Sequence, residues 1–180
     1  MIGVLVSGEG TNLQALIEEG LPIAGVISSK AGAPALARAE RAGIEAAVFD
    51  LNDFETREER DEAMADWLEA RGVDLVVCAG FMWLLRPSFL ERFPNRVVNT
   101  HAAFLPEFPG ASPIADALAA GAMETGATVH LVDNGIDSGP ILAQERVPIE
   151  RGDTVDTLWP RVKQVEHRLL AHAVRELCAS

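Results

Sequence analysis

Three residue types stand where acyl transfer would need them. Asn99-Thr100-His101 closes an apolar run, Arg96-Val97-Val98, so Asn99 and His101 fall where a strand opens into a loop. Further along, Asp133-Asn134-Gly135-Ile136-Asp137-Ser138-Gly139-Pro140 places Asp137 in a Gly-rich turn between two more apolar runs. A carboxylate that reaches an imidazole fixes its tautomer and favours its protonated form. An amide N–H beside them is the usual donor to a developing oxyanion. Asn99, His101 and Asp137 are therefore the expected catalytic centre, and the rest of the chain is expected to bring two substrates to it.

A second feature is the Gly-rich stretch Ser7-Gly8-Glu9-Gly10-Thr11-Asn12-Leu13. Glycines let backbone N–H groups approach a phosphate, and a helix N-terminus favours an anion. The dinucleotide fingerprint fails, because Leu13 replaces its third glycine and Ser28-Ser29-Lys30 replaces the acid after the second strand. The Walker pattern fails as well, for want of Gly-Lys-Ser/Thr. From this loop alone, a monophosphate site and a tight turn capped by Thr11 both stand.

Other groups read more plainly. Residues 80–87 form an apolar loop, suited either to core packing or to a flat aromatic ligand. His130 sits in an alternating strand pattern and is expected to be a core histidine or a support behind the catalytic groups. His167 and His172 lack the spacing of a zinc pair, and no metal is expected. The charge run from Arg57 to Glu62 reads as a solvated helix start. Cys78 lies in an apolar run far from Cys178, with no CxxC, so a buried structural thiol in a reducing cytoplasm is expected.

Short apolar runs at 2–6, 23–27, 46–49 and 73–79 alternate with helical patterns at 13–19, 33–42 and 57–71, with Thr11 or Asn12 as the first cap. That alternation predicts a parallel sheet covered on both faces. After Asn99 the rhythm changes. A loop broken by Pro106 and Pro109 leads to a helix that Ser112 caps, ending at Ala120. Strands at 127–132 and 141–147 pair as antiparallel neighbours, and a long helix covers 154–178 with Pro160 in its first turns. Ligands of such a sheet bind beyond the carboxyl ends of its strands, so the loops at 7–12, 28–30, 80–86 and 99–108 are expected on one edge.

The chain has 180 residues, 48% hydrophobic and 23% charged, which fits one domain with a single sizeable core. The net charge of −12 disfavours nucleic-acid partners while leaving room for a local basic pocket. No stretch has the length of a membrane span, and Met1-Ile2-Gly3-Val4-Leu5-Val6 reads as a first strand rather than a signal peptide.

Taken together, the spaced motifs resemble a known family. They are Ser7-Gly8-Glu9-Gly10-Thr11-Asn12-Leu13-Gln14-Ala15, Ala79-Gly80-Phe81-Met82, Asn99-Thr100-His101, Leu105-Pro106 with Pro109-Gly110, Gly126-Ala127-Thr128-Val129-His130 and Asp137-Ser138-Gly139-Pro140-Ile141. In this order and register, from residue 1 to about 167, the chain is similar to the folate-dependent glycinamide ribonucleotide transformylases. The resemblance implies a single Rossmann-like formyltransferase domain over 1–180: an α/β fold with a mostly parallel twisted sheet, helices on both faces and an antiparallel strand near the C-terminal part. It implies formyl transfer from 10-formyltetrahydrofolate, a co-substrate, to the amine of glycinamide ribonucleotide in purine synthesis, by a monomer or homodimer that binds neither nucleic acid nor membrane. Asn99, His101 and Asp137 would be catalytic. Gly10, Thr11 and Asn12 would bind the phosphate and Glu166 the ribose. Arg57, Met82, Trp83, Leu84, Leu85 and Asn99 would meet the folate, with Asp133, Asn134, Gly135, Ile136 and Asp137 lining its pterin pocket.

The match departs from the family at Ala102-Ala103, where Pro-Ser is usual, at Glu107, where a basic residue is common, and at Trp83, where Arg is common. The lost proline is expected to loosen that loop. Rival readings are a formyltetrahydrofolate hydrolase, a methionyl-tRNA formyltransferase, a nucleotide-sugar formyltransferase and a non-catalytic module for a phosphorylated metabolite. The tRNA enzyme would add a basic C-terminal domain, and a hydrolase would need no phosphate loop. The retained Asn99, His101 and Asp137 argue against the module.

Overall fold

Seven strands build one sheet, and its strand order explains where a ligand can go. The computed structural model describes residues 1–179. Along the chain, β1 (Ile2–Val6), α1 (Thr11–Glu18), β2 (Ile23–Ser28), α2 (Pro34–Arg41) and β3 (Ala46–Val48) come first. After a short 3-10 turn (Leu51–Asp53) follow α3 (Arg57–Glu69), β4 (Leu75–Cys78), α4 (Pro87–Arg92) and β5 (Val97–His101). The last part is α5 (Pro113–Ala119), β6 (Glu124–Leu131), β7 (Ile141–Pro148) and α6 (Val155–Ala179). The order across the sheet is β3-β2-β1-β4-β5-β6-β7. β1 to β5 are parallel, and β6 and β7 are antiparallel to their neighbours. The direction of winding therefore reverses between β1 and β4, which opens a crevice at their carboxyl ends.

Strand periodicity divides the core. In β1, Val4 and Val6 join a cluster with Leu13, Leu16, Ala35, Ala39, Leu158, Val162 and Leu170, so α1, α2 and α6 cover that face. Leu5 points the other way, with Val76, Met64, Leu68, Phe89 and Phe93, so α3 and α4 cover the second face. The same alternation sends Cys78 into the second cluster, where burial pushes its thiol up to about 12 and leaves it inert. Among the described residues no helix is long and apolar enough to cross a membrane.

Three local expectations are corrected. Thr11 and Asn12 do not cap α1: Gly10 holds the N-cap position at φ 70, and Thr11 is already helical. Ser112 does hold the N-cap of α5, yet its side chain makes no capping bond there, and Pro113 starts the helix instead. The third correction concerns the charge run. Arg60 and Asp61 are both 0% exposed, because they fall at the inner positions of α3 that continue through Met64, Ala65 and Leu68.

Candidate active site

The β5–β6 ladder sets the chemistry. Asn99 pairs with His130, Thr100 with Val129 and His101 with Thr128. Alternation then puts Asn99, His101 and His130 on one face and turns Thr100 to the opposite face, toward α6. Asn99 Nδ2 lies 3.5 Å from His130 Nε2, and His130 Nδ1 donates to the Leu131 carbonyl at 2.9 Å. A carbonyl only accepts, so His130 Nδ1 carries a proton, and Nε2 is left between the Asn99 amide and the Asp137 carboxylate.

Asp137 arrives from the β6–β7 turn with φ 51, a left-handed conformation that costs a non-glycine residue free energy. Its Oδ2 stands 3.5 Å from His101 Nδ1 and accepts from Gly110 N at 3.0 Å, while Oδ1 stands 3.6 Å from His130 Nε2. The His130 ring, the Gly110 N–H and the His101 charge hold its carboxyl below the usual carboxylate range, against an opposing push from burial. His101 Nε2 lies 2.8 Å from the Phe108 carbonyl and must donate to it. Nδ1, facing Asp137, is thus the ring atom left to take up or release a proton.

The loop after β5 is held despite Ala102-Ala103. Leu105 N donates to Thr128 Oγ1, which donates to the Ala103 carbonyl, and Gln144 donates to the Leu105 carbonyl. These bonds do the fastening that the expected loosening would have removed. Glu107 is tied down as well, in an ion pair with Arg146 at 3.1 Å.

One cleft of about 670 Å³ runs past these groups. At one end lie Gly8, Gly10, Thr11 and Asn12, in front of α1. Gly10 is required twice over: its φ is positive, and a Cβ there would come within 2.6 Å of the Ala35 Cβ. Arg38 Nε holds the Glu9 carbonyl at 2.7 Å from α2. Glu166 closes this end from α6 and accepts from Thr100 Oγ1 at 2.9 Å. Burial raises its carboxyl, opposed by bonds from Thr100 and Asn12 and by the charge of Lys163. Asn12 Oδ1 is buried without a hydrogen-bond partner among the described residues.

At the other end the wall is apolar: Met82, Trp83, Leu84, Leu85 and Ile136, with Asp133 and Gly135 beside them. Met82 and Leu84 are 67% and 57% exposed, a large apolar surface to leave open. The cleft wall formed by the described residues includes neither Asn134 nor Arg57. Arg57 stands behind Trp83, its guanidinium 5.0 Å from the ring centroid. The loop at 28–30 also stays out of the wall. It works at one remove, since Ser29 Oγ donates to Ser7 Oγ at 2.7 Å and Met82 N donates to the same oxygen at 3.0 Å.

A carboxylate between two imidazoles, an oriented amide, an anion-seeking helix start and an apolar shelf in one crevice suit acyl transfer to a phosphorylated amine. The formyl transferase family matches residues 1–174. The chain belongs to the formyl transferase family. A phosphoribosylglycinamide formyltransferase of Mycobacterium tuberculosis is 46% identical over 97% of this chain and 83% of its own. The crystal structure of the phosphoribosylglycinamide formyltransferase from Streptococcus pneumoniae superposes with a TM-score of 0.95 at 40% identity, covering 98% of this chain and 97% of that one. The trifunctional purine biosynthetic protein adenosine-3 of Gallus gallus is 42% identical over 97% of this chain, which spans only 18% of that longer protein.

One group escaped the sequence reading. Lys163 lines the same cleft one turn before Glu166, a spacing that puts both on one face of α6. His130, expected in a core or supporting place, supports: it contacts both Asn99 and Asp137. Among the described residues no three His, Cys, Asp or Glu side chains are grouped to hold a metal ion.

Proposed function

We propose that the protein transfers a formyl group from 10-formyltetrahydrofolate to the amine of N1-(5-phosphoribosyl)glycinamide, a step of purine synthesis, and that residues 1–180 act as one formyltransferase domain. Residue 180 lies outside the described residues. The observation that carries the reading is that Asn99, His101 and Asp137 line one cleft together with the loop at Gly10 and the apolar wall at 82–85.

Gly10, Thr11 and Asn12 seat the phosphate with backbone N–H groups, aided by Lys163. Glu166 and the free Oδ1 of Asn12 take ribose hydroxyls. The apolar wall and the Asp133 to Asp137 turn take the pterin, with Arg57 positioned through Trp83. The donor supplies the formyl carbon and, at N10, the leaving group. The amine nitrogen attacks that carbon, and the carbonyl electron pair moves onto oxygen. Asn99 has a second amide N–H beyond the one facing His130, and it meets that oxygen. His101, paired with Asp137, stabilises the same charge and holds the proton lost by the amine until N10 departs with it. No side-chain nucleophile is needed.

The deciding assay mixes the protein with 10-formyltetrahydrofolate, with and without glycinamide ribonucleotide, and follows tetrahydrofolate release. Release that requires the ribonucleotide supports the proposal. Release without it would make the protein a hydrolase.

A further inference from the structure

The donor wall lies in an eight-residue loop between β4 and α4 with two exposed apolar side chains, and such a loop needs external fastening to keep its backbone in place. At its near end Met82 N is held by Ser7 Oγ. At its far end Arg86 N donates to Asp61 Oδ2 at 2.8 Å. Arg86 is the N-cap of α4, so this one bond fixes both the exit of the loop and the start of the helix.

Asp61 is an odd choice for an interior position. Burying a carboxylate and a guanidinium costs more than an apolar pair of similar size would. The pair has a division of labour: Asp61 Oδ1 takes both Arg60 Nε at 2.9 Å and Nη2 at 2.6 Å, which leaves Oδ2 for the Arg86 N–H. The Arg60 guanidinium lies 5.6 Å from the Phe81 ring centroid and 5.7 Å from that of Trp83, under the same loop. Its Nη1 is buried without a hydrogen-bond partner among the described residues. A pair selected for core stability alone would leave no such donor orphaned. Outside the pair itself, its side-chain hydrogen bond and ring contacts fall on Phe81, Trp83 and Arg86.

We propose that Asp61, oriented by Arg60, is a positioning residue that holds the loop at 82–85 in its donor-binding shape without touching the donor. This rests on the reading of that loop as the donor wall. The Arg60 and Asp61 side chains are sealed from solvent, so their effect on substrate passes through the Arg86 amide and the Trp83 ring.

The test removes the tether without touching the buried pair. Arg86 has φ −77 and ψ 157, a conformation proline adopts, so Arg86→Pro deletes the N–H, and Arg86→Ala, which equally loses the guanidinium and its 3.8 Å pair with Glu58, keeps it. Arg86→Pro should raise KM for 10-formyltetrahydrofolate about tenfold, the scale of one lost charge-assisted hydrogen bond. It should leave KM for glycinamide ribonucleotide unchanged and speed amide exchange at 82–85, while Arg86→Ala matches the wild type in all three. A second variant, Arg60→Met with Asp61→Leu, replaces the pair by apolar groups and should reproduce the proline phenotype in a folded protein. Unchanged exchange at 82–85 in folded Arg86→Pro overturns the proposal, as does an equal rise in both KM values. A wild type that transfers no formyl group overturns the functional reading instead. The exchange data, with calorimetric binding of tetrahydrofolate, then still decide whether the tether shapes the loop.

Discussion

Asn99 and His130 face each other across an antiparallel ladder, amide nitrogen 3.5 Å from Nε2, and the Leu131 carbonyl takes the His130 Nδ1–H. In the proposed mechanism His130 backs the amide that meets the oxyanion. His130→Phe keeps the ring volume and loses both ring nitrogens. It should lower kcat roughly tenfold to a hundredfold, less than outright removal of an oxyanion donor, with KM for both substrates near the wild-type value. Steady-state kinetics on the two variants, His130→Phe and Asn99→Ala, would show the order.

Asp137 serves two imidazoles and one backbone N–H, so Asp137→Asn should cut kcat by about two to four orders of magnitude while the protein remains folded. Near-normal turnover would remove Asp137 from the mechanism.

The same carboxyl gives a pH signature. Its folded pKa lies below the ordinary value, chiefly through His130, so the ionised form stabilises the fold above the unfolded pKa. That contribution disappears as pH falls through the folded value. Melting temperatures of wild type and Asp137→Asn should therefore converge as pH is lowered below the usual carboxylate range.

Glu166 runs the other way. Burial raises its carboxyl, so its protonated form is the one the fold favours, and its contribution is full below the unfolded pKa and lost as pH rises through the folded one. Glu166→Gln should be no less stable than the wild type at neutral pH, and the comparison should shift toward the wild type in acid. KM for glycinamide ribonucleotide should rise about tenfold, as for a lost hydrogen bond to a charged group, with the donor KM unchanged. Melting curves across pH and two-substrate kinetics check both halves.

Gly10→Ala should lower stability by about 1–3 kcal/mol, because the left-handed backbone and the contact with Ala35 both oppose a Cβ. Denaturant titration measures the loss, and KM for the ribonucleotide should rise with it.

The meeting of Asn99, His101 and Asp137 in one cleft was legible because they combine polar types with strand-to-loop positions, and because two-residue periodicity carries Asn99 and His101 to one face. The sheet was legible from its apolar runs, and its antiparallel end from the change of rhythm after Asn99. His130 was harder: alternation tells which face a residue takes, not what waits there. Arg60 and Asp61 were hidden by their own charge. Helical spacing places them on the same stripe as Met64 and Leu68, but charged types at those positions read as solvent-facing. The Gly10 cap was masked by Thr11 and Asn12, which are better capping residues by type and were displaced by one position.

Ser7 receives hydrogen bonds from Ser29 and from Met82 and stands one residue before the Gly8 turn. A single buried hydroxyl thus joins the proposed cradle of one reactant to the proposed shelf of the other. If one ligand shifts that hydroxyl, reciprocity demands that each alter the other's affinity by the same factor. Whichever reactant arrives first, the free energy of the assembled ternary complex is identical.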